Sequence, residues 1–265
     1  PKNEVTDVFI DAEDNVWLGT QVGLIRIKNL AFRHHFSTEE VDVYPSSLFA
    51  DKKGRLWAGN EAGGVLRFNG ETFESAFEDP DINDHQISAI AEDADGKLWF
   101  GTMDFGGLFQ WDGNKFFIYS DEFGLADNNI NCLSTDEDGI LLIGTPNGLS
   151  TFDGTDFEIV YLADDFASNH VTTLERKPDG SVLIGAEDGS LFSYKDGEAR
   201  KLDGPTIGSS ISDIAVNEKS TAYASKNNGI WVERNGQLSH ITEESGLHSS
   251  DIRSLILNGD RLYVG

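Results

Sequence analysis

The side chains able to do chemistry in this 265-residue sequence are mostly carboxylates: 46 Asp and Glu stand against 20 Lys and Arg, a formal charge of −26. The densest groups form turns, Asp93-Ala-Asp-Gly96, Asp136-Glu-Asp-Gly139 and Lys177-Pro-Asp-Gly180, which look like the opening of a calcium loop. Such a loop needs a further acidic ligand at position 12 and flanking helices. Neither is present, so these are read as tight strand-to-strand turns. The six histidines do not gather in one stretch. His34 and His35 fall on an outer strand, and His85 and His170 at junctions between repeats; no HxH, HExxH or Cys/His spacing occurs. No metal and no cofactor is expected. The single cysteine, Cys132, falls on an inner strand and reads as a small buried hydrophobe. Serine and cysteine nucleophile elbows are missing, so no catalytic residue is assigned.

The excess of negative charge repels phosphate backbones and sulfated polyanions, which argues against nucleic-acid binding. No apolar run approaches the roughly 20 residues that span a bilayer, so no direct membrane contact is expected. One cysteine leaves the redox compartment open. The chain opens at Pro1 without an initiator Met, a signal sequence or an anchor, as a processed or excised piece would.

The elements that must position any site are repeats. Gly19, Gly59, Gly101, Gly144, Gly185, Ser225 and Gly265 align at spacings of 40, 42, 43, 41, 40 and 40 residues. Two residues before each stands a large apolar residue: Trp17, Trp57, Trp99, Leu142, Leu183, Tyr223 and Tyr263. A second glycine follows, and five repeats then carry Asn-Gly or Asp-Gly, ending at Gly70, Gly113, Gly154, Gly197 and Gly236. Asx-Gly supplies the positive φ that two-residue hairpins need. Repeat three shows four strands: Ile87 to Ala91, Leu98 to Gly101, Leu108 to Trp111 and Phe116 to Tyr119. First strands alternate small or polar residues with apolar ones, as in Val5-Thr-Asp-Val8, Ile130-Asn-Cys-Leu133 and Ile211-Ser-Asp-Ile214. No window has helical periodicity, so helices should be almost absent.

A four-stranded sheet of about 40 residues cannot bury both faces alone, and radial stacking solves that. The expected fold is an all-β propeller in a single domain, 1–265. Its blades span about 4–43, 44–84, 85–127, 128–168, 169–208 and 209–248, with a partial seventh at 249–265. That seventh holds only Ile252 to Leu257 and Arg261 to Gly265, which predicts that the natural polypeptide continues and completes a seven-bladed ring. The Trp17, Trp57 and Trp99 series reads as an inter-blade packing position. Pro45 stands where other inner strands carry Val or Ile, and blade six replaces the Asp-x-Asp-Gly turn with Asn217-Glu-Lys-Ser-Thr221.

With Ile87-Ser-Ala-Ile90, Asp93, Gly96-Lys-Leu-Trp99-Phe-Gly-Thr102, Gly106-Gly-Leu108 and Asp112-Gly113 in view, the chain resembles the two-component-regulator propeller repeats. Blade one gives Val5-Thr-Asp-Val8, Val16-Trp-Leu-Gly-Thr20 and Gly23-Leu24, and the family's lead-in appears as Gly124-Leu-Ala-Asp-Asn-Asn129 and Gly246-Leu-His-Ser-Ser250. The resemblance implies a non-catalytic periplasmic sensor region of a hybrid histidine kinase from Bacteroidetes-like bacteria. It would be glycan-responsive, tethered to the inner membrane by other parts of the parent chain, and dimeric through that parent. Two alternatives are a propeller enzyme resembling the streptogramin B lyases and a docking propeller of a secretion or cell-surface assembly.

The expected ligand face is built by the loops between second and third strands and between blades. It holds Met103, Asp104, Phe105, Phe123, Asn147, His85, His170, Glu187 and Asn227, with Pro146, Asp188, Asn228, Asn128, Phe166, Asn169 and His248 beside them. Aromatic platforms with amides and carboxylates suit a neutral oligosaccharide by stacking and hydroxyl hydrogen bonding. An adjacent propeller or sensor domain is the rival partner.

Overall fold

The computed structural model describes residues 5–265, apart from 12, 14, 22, 29–30, 36–42, 163–168 and 206. Phe166 therefore lies outside the described residues. The chain divides into two compact units, residues 1–119 with 128–130 and 265, and residues 120–127 with 131–264.

The first unit holds three four-stranded antiparallel blades in sequential order. They are β1 Val5–Ile10, β2 Val16–Thr20, β3 Gly23–Lys28 and β4 Ala31–His35; β5 Pro45–Ala50, β6 Leu56–Asn60, β7 Val65–Phe68 and β8 Phe73–Ser75; and β9 Ile87–Glu92, β10 Leu98–Thr102, β11 Leu108–Trp111 and β12 Phe116–Tyr119. The second unit holds three more blades. These are β13 Cys132–Thr135, β14 Leu141–Thr145, β15 Gly148–Phe152 and β16 Phe157–Val160; β17 Val171–Arg176, β18 Val182–Ala186, β19 Leu191–Lys195 and β20 Glu198–Lys201; and β21 Ile211–Val216, β22 Ser220–Ser225, β23 Ile230–Arg234 and β24 Gln237–Ile241. A two-stranded sheet follows, β25 Leu255–Asn258 with β26 Arg261–Val264. The all-β, propeller-type architecture expected from the period is what these strands form. Helix among the described residues is slight: one four-residue turn, Pro80–Asn83, two 3-10 turns, Asp121–Phe123 and Glu243–Ser245, and Asn169. Strand edges differ modestly from expectation: the first strand of blade four begins at Cys132 and that of the seventh at Leu255.

The first strands of five blades carry a device that the alternating pattern hinted at but did not explain. The register against the second strand shifts between the first and third residues of β1, β5, β17 and β21, and β9 shows the same slip. A bulge bends a strand locally and re-aims one side chain. Here the re-aimed residue is a hydroxyl that bonds the next blade. In the first unit, Thr6 Oγ1 donates to Pro45 O at 2.8 Å, Ser46 Oγ to Ile87 O, and Ser88 Oγ to Ile130 O at 2.5 Å. In the second, Thr172 Oγ1 donates to Ile211 O at 2.5 Å and Ser212 Oγ to Ile252 O. The longer Asn131 reaches Val171 O through Nδ2 at 2.6 Å. Pro45 is tolerated because its carbonyl, and not its missing N–H, makes that contact.

The repeated glycine answers to the same crowding. A Cβ on Gly101 would lie 2.5 Å from Ile130 Cγ2, and one on Gly144 2.3 Å from Cys132 Sγ. The alignment of Ser225 with these glycines is out by one. Asp213 pairs with Ala224 as Asp7 pairs with Gly19, so Ala224 holds the glycine position. Ser225 Oγ donates to Gly229 O as Thr20, Thr102 and Thr145 do to Gly23, Gly107 and Gly148. The tryptophan position of blade six is consequently Ala222, not Tyr223; both neighbours are small enough for the shift to pass unseen in sequence.

The tryptophans pack between blades as expected. Trp17 clusters with Leu48, Leu56 and Leu66, and Trp57 with Ile87, Ile90 and Leu98. Their indole nitrogens explain the first Asp of each turn: Trp17 Nε1 donates to Asp11 Oδ2 at 2.8 Å, Trp57 to Asp51 at 3.0 Å and Trp99 to Asp93 at 2.9 Å. The same carboxylates accept turn N–H groups from Asn15, Arg55 and Lys97. Burial works against ionisation at Asp11 and Asp51, yet the indole and backbone donors outweigh it and hold both carboxyls below the usual range. At Asp136, whose blade carries Leu142 in place of the indole, burial wins and the carboxyl is pushed up.

Candidate functional site

In the first unit the loop after β10 forms the most developed surface feature. Met103 and Phe105 are 55% and 74% exposed. Phe105 has φ +65, a backbone region that bulky side chains rarely adopt. Four bonds hold the loop there. Phe105 N donates to Asn129 Oδ1 at 3.1 Å, and Met103 N to Gln86 O at 3.1 Å. Between them Asp104 accepts from the His85 ring Nδ1 at 2.9 Å and from Gln86 N at 3.2 Å. The His85 ring lies 5.5 Å from that of Phe109 and presses onto Gly106, where a Cβ would sit 2.6 Å from Nδ1. The Pro80–Asn83 turn, capped by the Asp79 side chain and anchored by buried Ile82, delivers His85 to this place. Four of the sequence-selected residues, His85, Met103, Asp104 and Phe105, therefore meet in one constellation: two apolar platforms on a loop locked by a His–carboxylate pair.

The second unit gathers the others in two groups. Asn147 Nδ2 donates to Asp127 Oδ2 at 2.7 Å, and Phe123, 59% exposed, sits on the 3-10 turn that leads to Asp127. Glu187 N donates to His170 O at 3.0 Å, while its carboxylate accepts from Ser210 Oγ at 2.7 Å and lies 3.8 Å from Lys226 Nζ. Asn227 follows Lys226 in an exposed bend, and the bonds of that bend run through Asn228, whose Nδ2 donates to Ile207 O.

Sequence reasoning missed a pair of acids on the inner strands. Asp213 accepts from Leu255 N at 2.6 Å and Ile214 N at 2.8 Å, and from Thr173 Oγ1 at 3.4 Å. It joins the first strands of three successive blades, as Asp7 reaches Leu48 N at 2.6 Å in the first unit. Burial pushes Asp213 up to about 7. Burial and then the Asp213 charge push Glu175 up to about 8. The Cys132 thiol is also raised, by burial first. Cys132 is partly buried and packs against the cluster of Leu142, Val171 and Leu174, as a small core-facing hydrophobe does. The readable signal was an Asp at the third residue of a first strand, in Val5-Thr-Asp and Ile211-Ser-Asp.

Comparison with known proteins follows the same lines. No curated protein matches the sequence significantly. Among solved structures, the chain is similar to the extracellular domain of a protein assigned as a hybrid two-component system from B. thetaiotaomicron. There the TM-score is 0.83 at 18% identity, over 100% of this chain and 39% of that one. A second B. thetaiotaomicron extracellular domain, assigned to a one-component system, gives 0.82 at 17%, over 99% and 39%. Virginiamycin B lyase from Staphylococcus aureus gives 0.82 at 12%, over 100% and 92%. The chain thus spans about two fifths of the length of the first two, and at these identities the likeness is one of fold. The family model described as two component regulator propeller matches residues 81–104 and 124–147. The first match runs through the Pro80–Asn83 turn, His85 and the Trp99–Asp93 pair to Asp104; the second runs from Gly124 to Asn147. Over those two stretches the chain is similar to the two component regulator propeller model.

Proposed function

We propose that this chain is a non-catalytic, extracytoplasmic sensor module of a two-component signalling protein, and that the 103–107 loop contacts its ligand, a neutral oligosaccharide. The observation that carries the reading is Phe105, a large ring held in solvent at positive φ by Asn129 and by the His85–Asp104 pair. Nothing about packing calls for that arrangement, because the ring is exposed; an aromatic platform for a sugar ring does. Amides and carboxylates beside it supply acceptors and donors for hydroxyls, and the −26 charge disfavours sulfated sugars. The propeller-repeat matches and the extracellular-domain neighbours support a sensor placed outside the cytoplasm.

Calorimetric titration with a panel of neutral and sulfated oligosaccharides tests this. A neutral sugar should bind, and Phe105→Ala with Met103→Ala should weaken it by at least about tenfold, roughly 1.4 kcal/mol. Tight binding of a sulfated sugar, or neutral binding indifferent to both substitutions, would refute it. Silence from every sugar would leave an adjacent propeller or sensor domain as the occupant. Consumption of a streptogramin by the purified protein would overturn the non-catalytic reading.

A further inference from the structure

The second unit contains a cleft of 310 Å³ between blades five and six, on the side of the turns joining first to second strands. It occupies a place that is filled elsewhere. Between blades one and two, Trp17 packs edge-on against Phe68 at 5.0 Å, and the Trp17 indole is tied to Asp11. The register puts Leu183 of β18 in the place of Trp17, and Lys177 in the place of Asp11. From blade six, Glu233 of β23 stands where blades two to five carry Phe68, Trp111, Phe152 and Tyr194, and Thr221 stands where they carry Leu56, Leu98, Leu141 and Val182. Two aromatic rings and an aliphatic side chain have thus been exchanged for a smaller residue, a carboxylate and a hydroxyl. All four replacements line the cleft.

The charges on its walls are of both signs. Lys177 is held by Asp179 at 3.1 Å. Lys219 projects from a turn whose geometry is set by Asn217 Oδ1, which accepts from Lys219 N and Ser220 N. Among the described residues no hydrogen bond or ion pair engages the Lys219 ammonium. Tyr223 forms part of the apolar wall with Leu183, and burial, then the Glu233 charge, push its phenol up to about 12, as expected of a ring beside that carboxylate.

We infer that this cleft is a binding site for a zwitterionic α-amino acid, its carboxylate on Lys219 and its ammonium on Glu233, with the side chain against Leu183 and Tyr223. The volume suits a molecule of that size. A ligand of zero net charge does not oppose the protein's negative field, whereas a free anion would. The inference is independent of the sugar reading, which rests on the 103–107 loop of the first unit, whereas the cleft residues all belong to the second.

The test is calorimetric titration of the protein with free L-amino acids of different side-chain size, alongside the N-acetyl derivative and the amide of each. At least one free amino acid should bind. Removing its ammonium or its carboxylate should weaken binding tenfold or more, as should Lys219→Gln and Glu233→Gln. Lys219 is an exposed turn residue, so its variant should fold. The double variant Lys177→Asp with Leu183→Trp rebuilds the pair found in blades one to three, and should abolish binding while keeping the β-sheet circular dichroism. No binding by any amino acid at millimolar concentration would overturn the inference. So would derivatives that bind as well as the parent, or affinity unchanged in Lys219→Gln and Glu233→Gln.

Discussion

Replacing Asp213 by Asn should flatten the dependence of stability on pH. The folded protein holds the protons of Asp213 and Glu175 up to about 7 and about 8, whereas the unfolded chain releases them near the ordinary carboxyl values of 3.8 and 4.5. Between those limits the folded state binds more protons than the unfolded one, so stability falls as pH rises from about 4 to about 8. One such group changes stability by up to about 1.4 kcal/mol per pH unit, or about 2.7 kcal/mol from pH 5 to pH 7. Both side chains are half-buried and water reaches them. Screening brings the expectation for the coupled pair to about 1–2 kcal/mol over that interval. Urea unfolding at pH 5, 6, 7 and 8 measures it. Wild type should lose midpoint steadily. Asp213→Asn should be less stable at pH 5, because an amide cannot accept from both Leu255 N and Ile214 N as well as a carboxyl does. It should nevertheless show a slope reduced by half or more, and Glu175→Gln should reduce it further. A variant that kept the wild-type slope would refute the reasoning, because the protons would then belong elsewhere among the carboxylates.

Trp99→Phe removes the donor to Asp93 and part of a fully buried ring, and should cost about 2 kcal/mol or more in urea unfolding. Ser88→Ala removes the bond to Ile130 O and a second to Gly101 O, and should cost about 1 kcal/mol, with the loss repeated by Ser46→Ala at the preceding blade interface. Gly101→Ala would place a methyl 2.5 Å from Ile130 Cγ2 and should cost about 2 kcal/mol or more, and Ile130→Ala, which removes that Cγ2, should combine with it less than additively in a double-mutant cycle. Thermal melts of these variants check all three.

The repeat period, the blade count and the strand order were legible in the sequence because they follow from local chemistry. Asx-Gly turns impose their backbone conformation, and second strands buried on both faces read as short apolar runs such as Leu98-Trp-Phe and Leu141-Leu-Ile. The indole–carboxylate pairs were half legible: Trp99 and Asp93 were both visible as repeated positions, but their bond depends on a hairpin folding one onto the other. Ser225 was misplaced for the opposite reason. Ala224 and Ser225 are both small, and only the pairing of Ala224 with Asp213 shows which of them lies under the inner strand.

Of the candidate ligand residues, the sequence could name loop positions but not their partners. It did not reveal that Asp104 holds His85, that Asn129 fixes Phe105, or that Asn147 bonds Asp127, since each joins residues 19 or more positions apart. Nor could it find the cleft of blades five and six. Lys177, Leu183, Thr221 and Glu233 are ordinary residues singly, and become a polar cavity only when neighbouring sheets bring them to one interface. Strand pattern and turns are set by neighbours in the chain and are written in it. Carboxylate ionisation, cavities and the direction of a bulged hydroxyl are set by neighbours a blade away, about 40 residues distant, and exist only once the blades have packed.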